Sequence, residues 1–152
     1  PEAAFEGVDV VVNLIGESVA KRWNDERKRH FRDSRVLPTR ALVERMQALS
    51  PRPRALVSIA GTHFYGDRGD EILTESAAAG GGFLATLCQE WESAALAAES
   101  GGIRVVVLRS GVVLSTHGGI LRRGLAVARG ECERGEEKSS HRPTSTCGSA
   151  KT

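Results

Sequence analysis

A parallel α/β sheet with flanking helices is the fold class this sequence predicts, on three observations. Apolar, β-branched runs recur at residues 8–14, 55–59 and 103–108. Two stretches with helical spacing separate them, at residues 24–49 and 83–99. Each change from one pattern to the other is marked by Pro, Gly or a capping residue. Strand, helix, strand, helix, strand is the βαβ alternation, which gives parallel strands joined by right-handed crossovers.

"VDVVVNL", residues 8–14, is a continuous β-branched run, expected of a strand covered on both faces. Asn24 can cap the first helix, with Asp25 and Glu26 in its electropositive first turn. Pro38 is expected to break that helix and sit in the first turn of a second segment. Leu42, Met46 and Leu49 then share a face at i, i+4, i+7, and Ser50-Pro51-Arg52-Pro53 stops the helix. "ALVSI", residues 55–59, is the second strand, followed by a Gly-rich loop over 60–82. Leu84, Leu87, Trp91, Ala95 and Ala98 form the stripe of the second helix, which Gly101-Gly102 ends. "IRVVVL", residues 103–108, is the third strand, and Gly111 opens another loop.

Composition narrows the class further. The 152 residues are 40% apolar and 26% charged, ordinary for one soluble domain. No run is long enough for a membrane span, and no secretory signal is visible. The chain opens Pro-Glu-Ala without Met, so it reads as a fragment or a processed product. Cys88, Cys132 and Cys147 have neither disulfide-framework nor zinc spacing, and the four histidines lie far apart. Reduced thiols and no metal are expected, in a reducing compartment such as the cytoplasm or an organelle matrix. Residues 21–54 carry 11 basic and 4 acidic groups, but only Trp23 and Phe31 interleave them. That pattern is a solvated helix face, not a nucleic-acid surface. After Leu121 the chain has only Leu125 and Val127 as branched aliphatics and no aromatic residue. Residues 122–152 are therefore expected to be a disordered tail beside a domain at 1–121.

In open parallel sheets, ligands sit outside the carboxyl ends of the strands. Three segments matter on that rule: residues 13–17, 58–61 and 109–113. Gly61-Thr62-His63-Phe64-Tyr65-Gly66 has the outer spacing of a phosphate loop but lacks the following Lys-Ser/Thr. Gly80-Gly81-Gly82 reads as a flexible hinge, and Arg68-Gly69-Asp70 as a chance tripeptide. No Gly-x-Gly-x-x-Gly turn is present. In a dinucleotide fold, the phosphate turn and the ribose-binding acid would then lie upstream of Pro1.

Four segments, in order, carry a resemblance: "VDVVVNLIGESVAKRWNDERKRHFRDSRVLPTRALV", "ALVSIAGTHFYGDRGDEILTE", "FLATLCQEWESAA" and "RVVVLRSGVVLSTHGGIL". Over residues 5–121 the chain resembles the atypical short-chain dehydrogenase/reductase family, in particular its epimerase family 39U group. The resemblance implies a Rossmann-like fold, incomplete for want of its first βαβ half, and an NAD or NADP cofactor, NADP ahead of NAD. It implies cofactor contacts from Asn13, Leu14, Ile15, Gly16 and Glu17, where Ile15 replaces a smaller residue. It also implies Arg35 as a cation toward phosphate or ribose, Ser58 and Ile59 beside nicotinamide, and backbone contacts from Arg109, Gly111 and Val112.

Related sugar epimerases use a Ser/Thr and a Tyr-x-x-x-Lys pair for proton transfer. Here the serine position falls at Ala60 or Gly61, and the pair falls near residues 83–88, which hold neither Tyr nor Lys. The remaining catalytic candidates are Tyr65, the sole tyrosine, and Glu75, with His63 behind them. The reading is an incomplete NAD(P)-dependent epimerase or dehydratase acting, at full length, on a small sugar-like substrate, and inactive as this fragment. Its rival is a non-catalytic dinucleotide-binding or partner-docking module. Neither nucleic acid nor membrane is an expected partner, and the oligomeric state is open.

Overall fold

Strand β1 (Val10–Asn13), helix α1 (Asp25–Ala48), strand β2 (Ala55–Gly61), helix α2 (Phe83–Leu96) and strand β3 (Arg104–Ser110) follow one another as the alternation requires. The computed structural model describes residues 2–18 and 23–113. The expected domain boundary at 121 and the disordered tail lie outside the described residues, as do Cys132 and Cys147.

The three strands form one parallel sheet in the order β1-β2-β3. Val11 pairs with Leu56, and Leu56 with Val105. Those three residues face one layer, where Val43 and Met46 of α1 and Ala95 of α2 close the core with Ala98 and Ile103. A second cluster joins the helices through Phe31, Val36, Leu87, Trp91 and Ala94. The chain is thus a Rossmann-like layer of helices on a parallel sheet. Among the described residues no helix is long and apolar enough to cross a membrane.

Burial of the first strand on both faces, expected from its sequence, is not what the structure shows. Val10 and Val12 are more than half exposed, as is Leu108 on β3. Successive strands add in one direction, so crossovers of one hand bring α1 and α2 to the same face. A β-branched run records that a strand suits a covered sheet, not which layer covers it.

Pro38 also departs from expectation, because α1 runs unbroken through it. Proline removes one backbone hydrogen bond and crowds the preceding turn. The buried stripe Phe31, Val36, Thr39, Val43 and Met46 continues across it, so packing on both sides outweighs the local penalty. The helix start matches: the Asn24 side chain accepts from the Arg27 N–H at 2.7 Å. So does the end of the second helical stretch, where a 3-10 turn (Ala97–Gly101) closes on Gly102 at φ +76°.

The loop after β2 is more ordered than its glycine content predicts. Thr62–Tyr65 forms a 3-10 turn, and the Gly80 N–H donates to the Phe64 carbonyl at 2.9 Å. A Cβ on Gly80 would lie 2.0 Å from the Tyr65 carbonyl oxygen. Glycine is required there by close backbone approach, not as a hinge.

Candidate functional site

Parallel register brings the three strand termini to one rim. Asn13 pairs with Ser58, Ser58 with Val107, and Gly61 with Ser110. Residues 14–17, 62–65 and 111–113 therefore leave the sheet at its carboxyl end. A Cβ on Gly111 would stand 3.9 Å from Thr62 Oγ1, which joins the β2 and β3 exits directly. Gly16, Ser58 and Gly111 share this end of the molecule.

The side chains at the strand ends divide into those turned inward and those left outward. Asn13 is buried; its Nδ2 donates to Thr39 Oγ1 at 2.9 Å and to Ser58 Oγ at 3.2 Å. Its Oδ1 accepts from the Ile15 N–H at 3.2 Å, which turns the chain out of the strand. Trp91 Nε1 donates to the same Thr39 hydroxyl at 3.1 Å. Asn13 and Ser58 thus tie β1, β2, α1 and α2 together beneath the rim. Asn13→Ala is expected to cost about 1–3 kcal/mol, the penalty for unpaired buried polar groups, as a lowered urea midpoint. An unchanged midpoint would show the network to be dispensable. Ile59 is half-buried and packs against the Phe31 cluster.

Arg35 is anchored to the protein itself. Its Nη2 donates to the Glu17 carbonyl at 2.6 Å and its Nη1 to the Phe31 carbonyl at 2.9 Å. Ser34 Oγ accepts from the Glu17 N–H at 3.2 Å, so α1 holds both backbone polar groups of Glu17. Burial pulls the guanidinium below its ordinary pKa, opposed by the neighbouring Cys88 and Glu17. Arg35 lies flat against Gly16: a Cβ there would meet its Cζ and Nε at 3.1 Å. The resemblance implies Arg35 as a cation toward phosphate or ribose; in the structure its donors shape the 13–17 turn.

Leu14, Ile15, Val112 and Val113 are exposed around this rim. Glu17 keeps its side chain near Arg27, at 3.6 Å. The rim is therefore apolar at its lips and glycine-lined between them, with Gly16, Gly61 and Gly111.

Beside it, β3 ends in a charged hub. Arg109 Nε and Nη2 bond Glu92 Oε1 and Oε2, each at 2.8 Å. Its Nη1 donates to Tyr65 Oη at 2.8 Å and to the Glu75 carbonyl at 3.0 Å. The guanidinium stacks on Phe64, 3.5 Å from the ring centre. Glu92 strengthens the hold of Arg109 on its proton above the ordinary value, and desolvation opposes this only in part. Arg109 thereby joins β3, α2, the 3-10 turn and the loop at Glu75. Glu75 itself is exposed.

Among the described residues, one cavity opens at the hub and another lies at the start of α2. The first, of about 610 Å³, is lined by Thr62, Tyr65, Thr74, Glu75, Arg109 and neighbouring β3 residues. The second, of about 530 Å³, lies between Trp23, His63, Asp67 and Phe83. Residues 83–88, the expected segment of the tyrosine–lysine pair, open α2, and Cys88 is buried there. Burial pushes that thiol above its ordinary pKa. Among the described residues no group of three or more His, Cys, Asp or Glu is placed to hold a metal.

Sequence reasoning passed over Glu92 and Thr39. Glu92 left a signal: an acid in helical register with Cys88 and Ala95, inside the apolar stripe. A lone threonine on a mixed helix face leaves none.

A parallel α/β layer whose strand ends open onto a glycine-lined rim is the architecture of nucleotide-binding α/β proteins. The model of the NAD dependent epimerase/dehydratase family matches residues 2–148, and the chain belongs to that family. An epimerase family protein of Mycobacterium bovis is 42% identical over 121 residues, covering 79% of this chain and 40% of its own length. A chloroplastic SDR39U1 homolog of Arabidopsis thaliana is 36% identical over 118 residues, 76% of this chain and 34% of that protein. Among solved structures, a nucleoside-diphosphate sugar epimerase from Corynebacterium glutamicum superposes with a TM-score of 0.71 at 39% identity, over 90% of this chain and 28% of that one. Human epimerase family protein SDR39U1, solved with NADPH, gives 0.70 at 29% identity, over 80% and 42%. The chain thus spans about two-fifths of the length of the curated relatives it matches.

Proposed function

We propose that this chain forms the nicotinamide side of an NAD(P) site, and that the whole protein acts on a small sugar-like substrate as an epimerase or dehydratase. The observation that carries the reading is the rim: exposed Leu14, Ile15 and Val112 around Gly16, Gly61 and Gly111. Apolar lips and bare backbone suit a flat heteroaromatic ring, which needs stacking surface and a few backbone hydrogen bonds. The donor set supports the ring half and not the pyrophosphate half, because Arg35 and Arg109 direct their bonds to protein oxygens. The human relative solved with NADPH supports NADP ahead of NAD.

The bound ring would supply hydride exchange with substrate carbon. This chain's part is to wall the ring with Leu14, Ile15 and Val112 and to hold the 13–17 turn through Arg35. The tyrosine–lysine pair of related epimerases has no counterpart within residues 83–88, so the chain alone is expected to bind without turnover. Exposed Val10, Val12 and Leu108 favour a second reading, a module that docks through its sheet face.

Fluorescence of reduced nicotinamide mononucleotide and of NADPH, titrated with the 152-residue chain, tests the proposal. Both are expected to bind, with affinities within about tenfold, and AMP should not compete, since only the ring half meets this rim. Competition by AMP, or no response to either nucleotide, would overturn it. Docking without cofactor affinity would support the second reading.

A further inference from the structure

The hub at Arg109 controls where one proton points. Guanidinium groups only donate hydrogen bonds, so at 2.8 Å the Tyr65 oxygen must be accepting from Nη1. The phenolic proton is then directed elsewhere, and no described residue accepts it. Tyr65 is 8% exposed and lines the 610 Å³ cavity. The same cavity runs along β3 and is lined by the hydroxyl residues Thr62, Thr74 and Ser110 and by the apolar Leu73, Val107 and Leu108.

We propose that Tyr65 is the hydrogen-bond donor that selects an oxygen-bearing ligand in this cavity, and that Arg109 is the positioning residue that leaves its proton free for that task. The ligand class is a small polyhydroxylated or carbonyl compound with one apolar C–H face. Hydroxyls meet its oxygens, and Leu73 and Val107, the latter on the same face of β3 as Arg109, meet the other face. Arg109, which donates to the phenol, is itself fixed from three sides. It is locked by Glu92 in a two-point fork, it stacks on Phe64, and it holds the Glu75 carbonyl at the cavity wall. Phe64 also packs edge-on against Tyr65, 5.3 Å between ring centres, which sets the ring plane. Tyr65 is thus a specificity-determining group, not the proton-transfer acid. The inference rests on the function proposed above in assuming that the cavity beside the rim holds substrate.

UDP-glucose is the probe, added to the full chain and to Tyr65→Phe and Arg109→Lys. Tyr65→Phe keeps the ring and removes only the hydroxyl. It should weaken the probe about two- to tenfold, the value of one hydrogen bond, and lower the urea midpoint slightly for the lost bond to Arg109, while leaving the affinity for reduced nicotinamide mononucleotide unchanged. Arg109→Lys, which keeps the charge and loses the fork, should weaken the probe in the same direction. Tyr65 is the only tyrosine, so the tyrosine doublet in the Raman spectrum reports this phenol alone. On adding UDP-glucose it should move toward the donating form. Equal probe affinity in wild type and Tyr65→Phe, an unmoved doublet, or no probe binding by wild type would overturn the inference. Loss of the mononucleotide response in wild type would instead count against the cofactor reading.

Discussion

Arg109→Met is expected to destabilise the folded chain by about 3 kcal/mol, the scale for removing one partner of a buried ion pair. The cause lies with the partner left behind. Glu92 is 6% exposed and faces Arg109 with both carboxylate oxygens. Without the guanidinium its charge stays buried and unpaired, and the Tyr65 hydroxyl and Glu75 carbonyl lose their donor. A double variant, Arg109→Met with Glu92→Leu, should recover most of the loss, because it removes the stranded charge as well. Urea unfolding followed by tryptophan fluorescence checks both. A cost under about 0.5 kcal/mol, the range of solvated surface pairs, would show that the hub is not load-sharing with the core.

Phe31→Ala should have an effect of similar or greater size, about 3–5 kcal/mol, as a fall in thermal midpoint. Phe31 is fully buried between the helices, against Val36, Leu87, Trp91 and Ala94. Truncation leaves a cavity that neighbours on two rigid helices cannot fill. Since whole domains are stable by about 5–15 kcal/mol, a substantial unfolded population is expected. Phe31→Leu, which keeps most of the volume, should cost under about 1.5 kcal/mol. The damage should reach the rim, because the Phe31 carbonyl is one of the three oxygens that hold Arg35. Amide exchange at residues 15–17 should therefore rise in Phe31→Ala before the core opens. Equal stability of the Ala and Leu variants would deny Phe31 its central place.

Much of this was legible because local and tertiary signals agreed. The Asn24 cap, the Gly102 turn and the β-branched runs each meet a local need that the sequence states directly. Pro38 was misread because its local preference opposes a buried stripe that only the packed helices reveal. Val10 and Val12 look alike in sequence whether a layer covers them or not, so their exposure could not be anticipated. The strand exits were readable from the alternation, since parallel strands place their ends together. The direction of the arginines was not. The strand alternation puts Arg109 near the rim and the family resemblance implies Arg35 there, but neither shows that Glu17, Phe31 and Glu92 take their hydrogen bonds.

The central claim is that three distant segments form one ring-binding rim. Backbone amide shifts of the labelled chain, recorded as reduced nicotinamide mononucleotide is added, test it most directly. Concerted changes at residues 14–16, at Gly61 and at 111–112 are the expected result. Changes confined to the opposite end of the sheet, around Gly7 and residues 50–54, would contradict it.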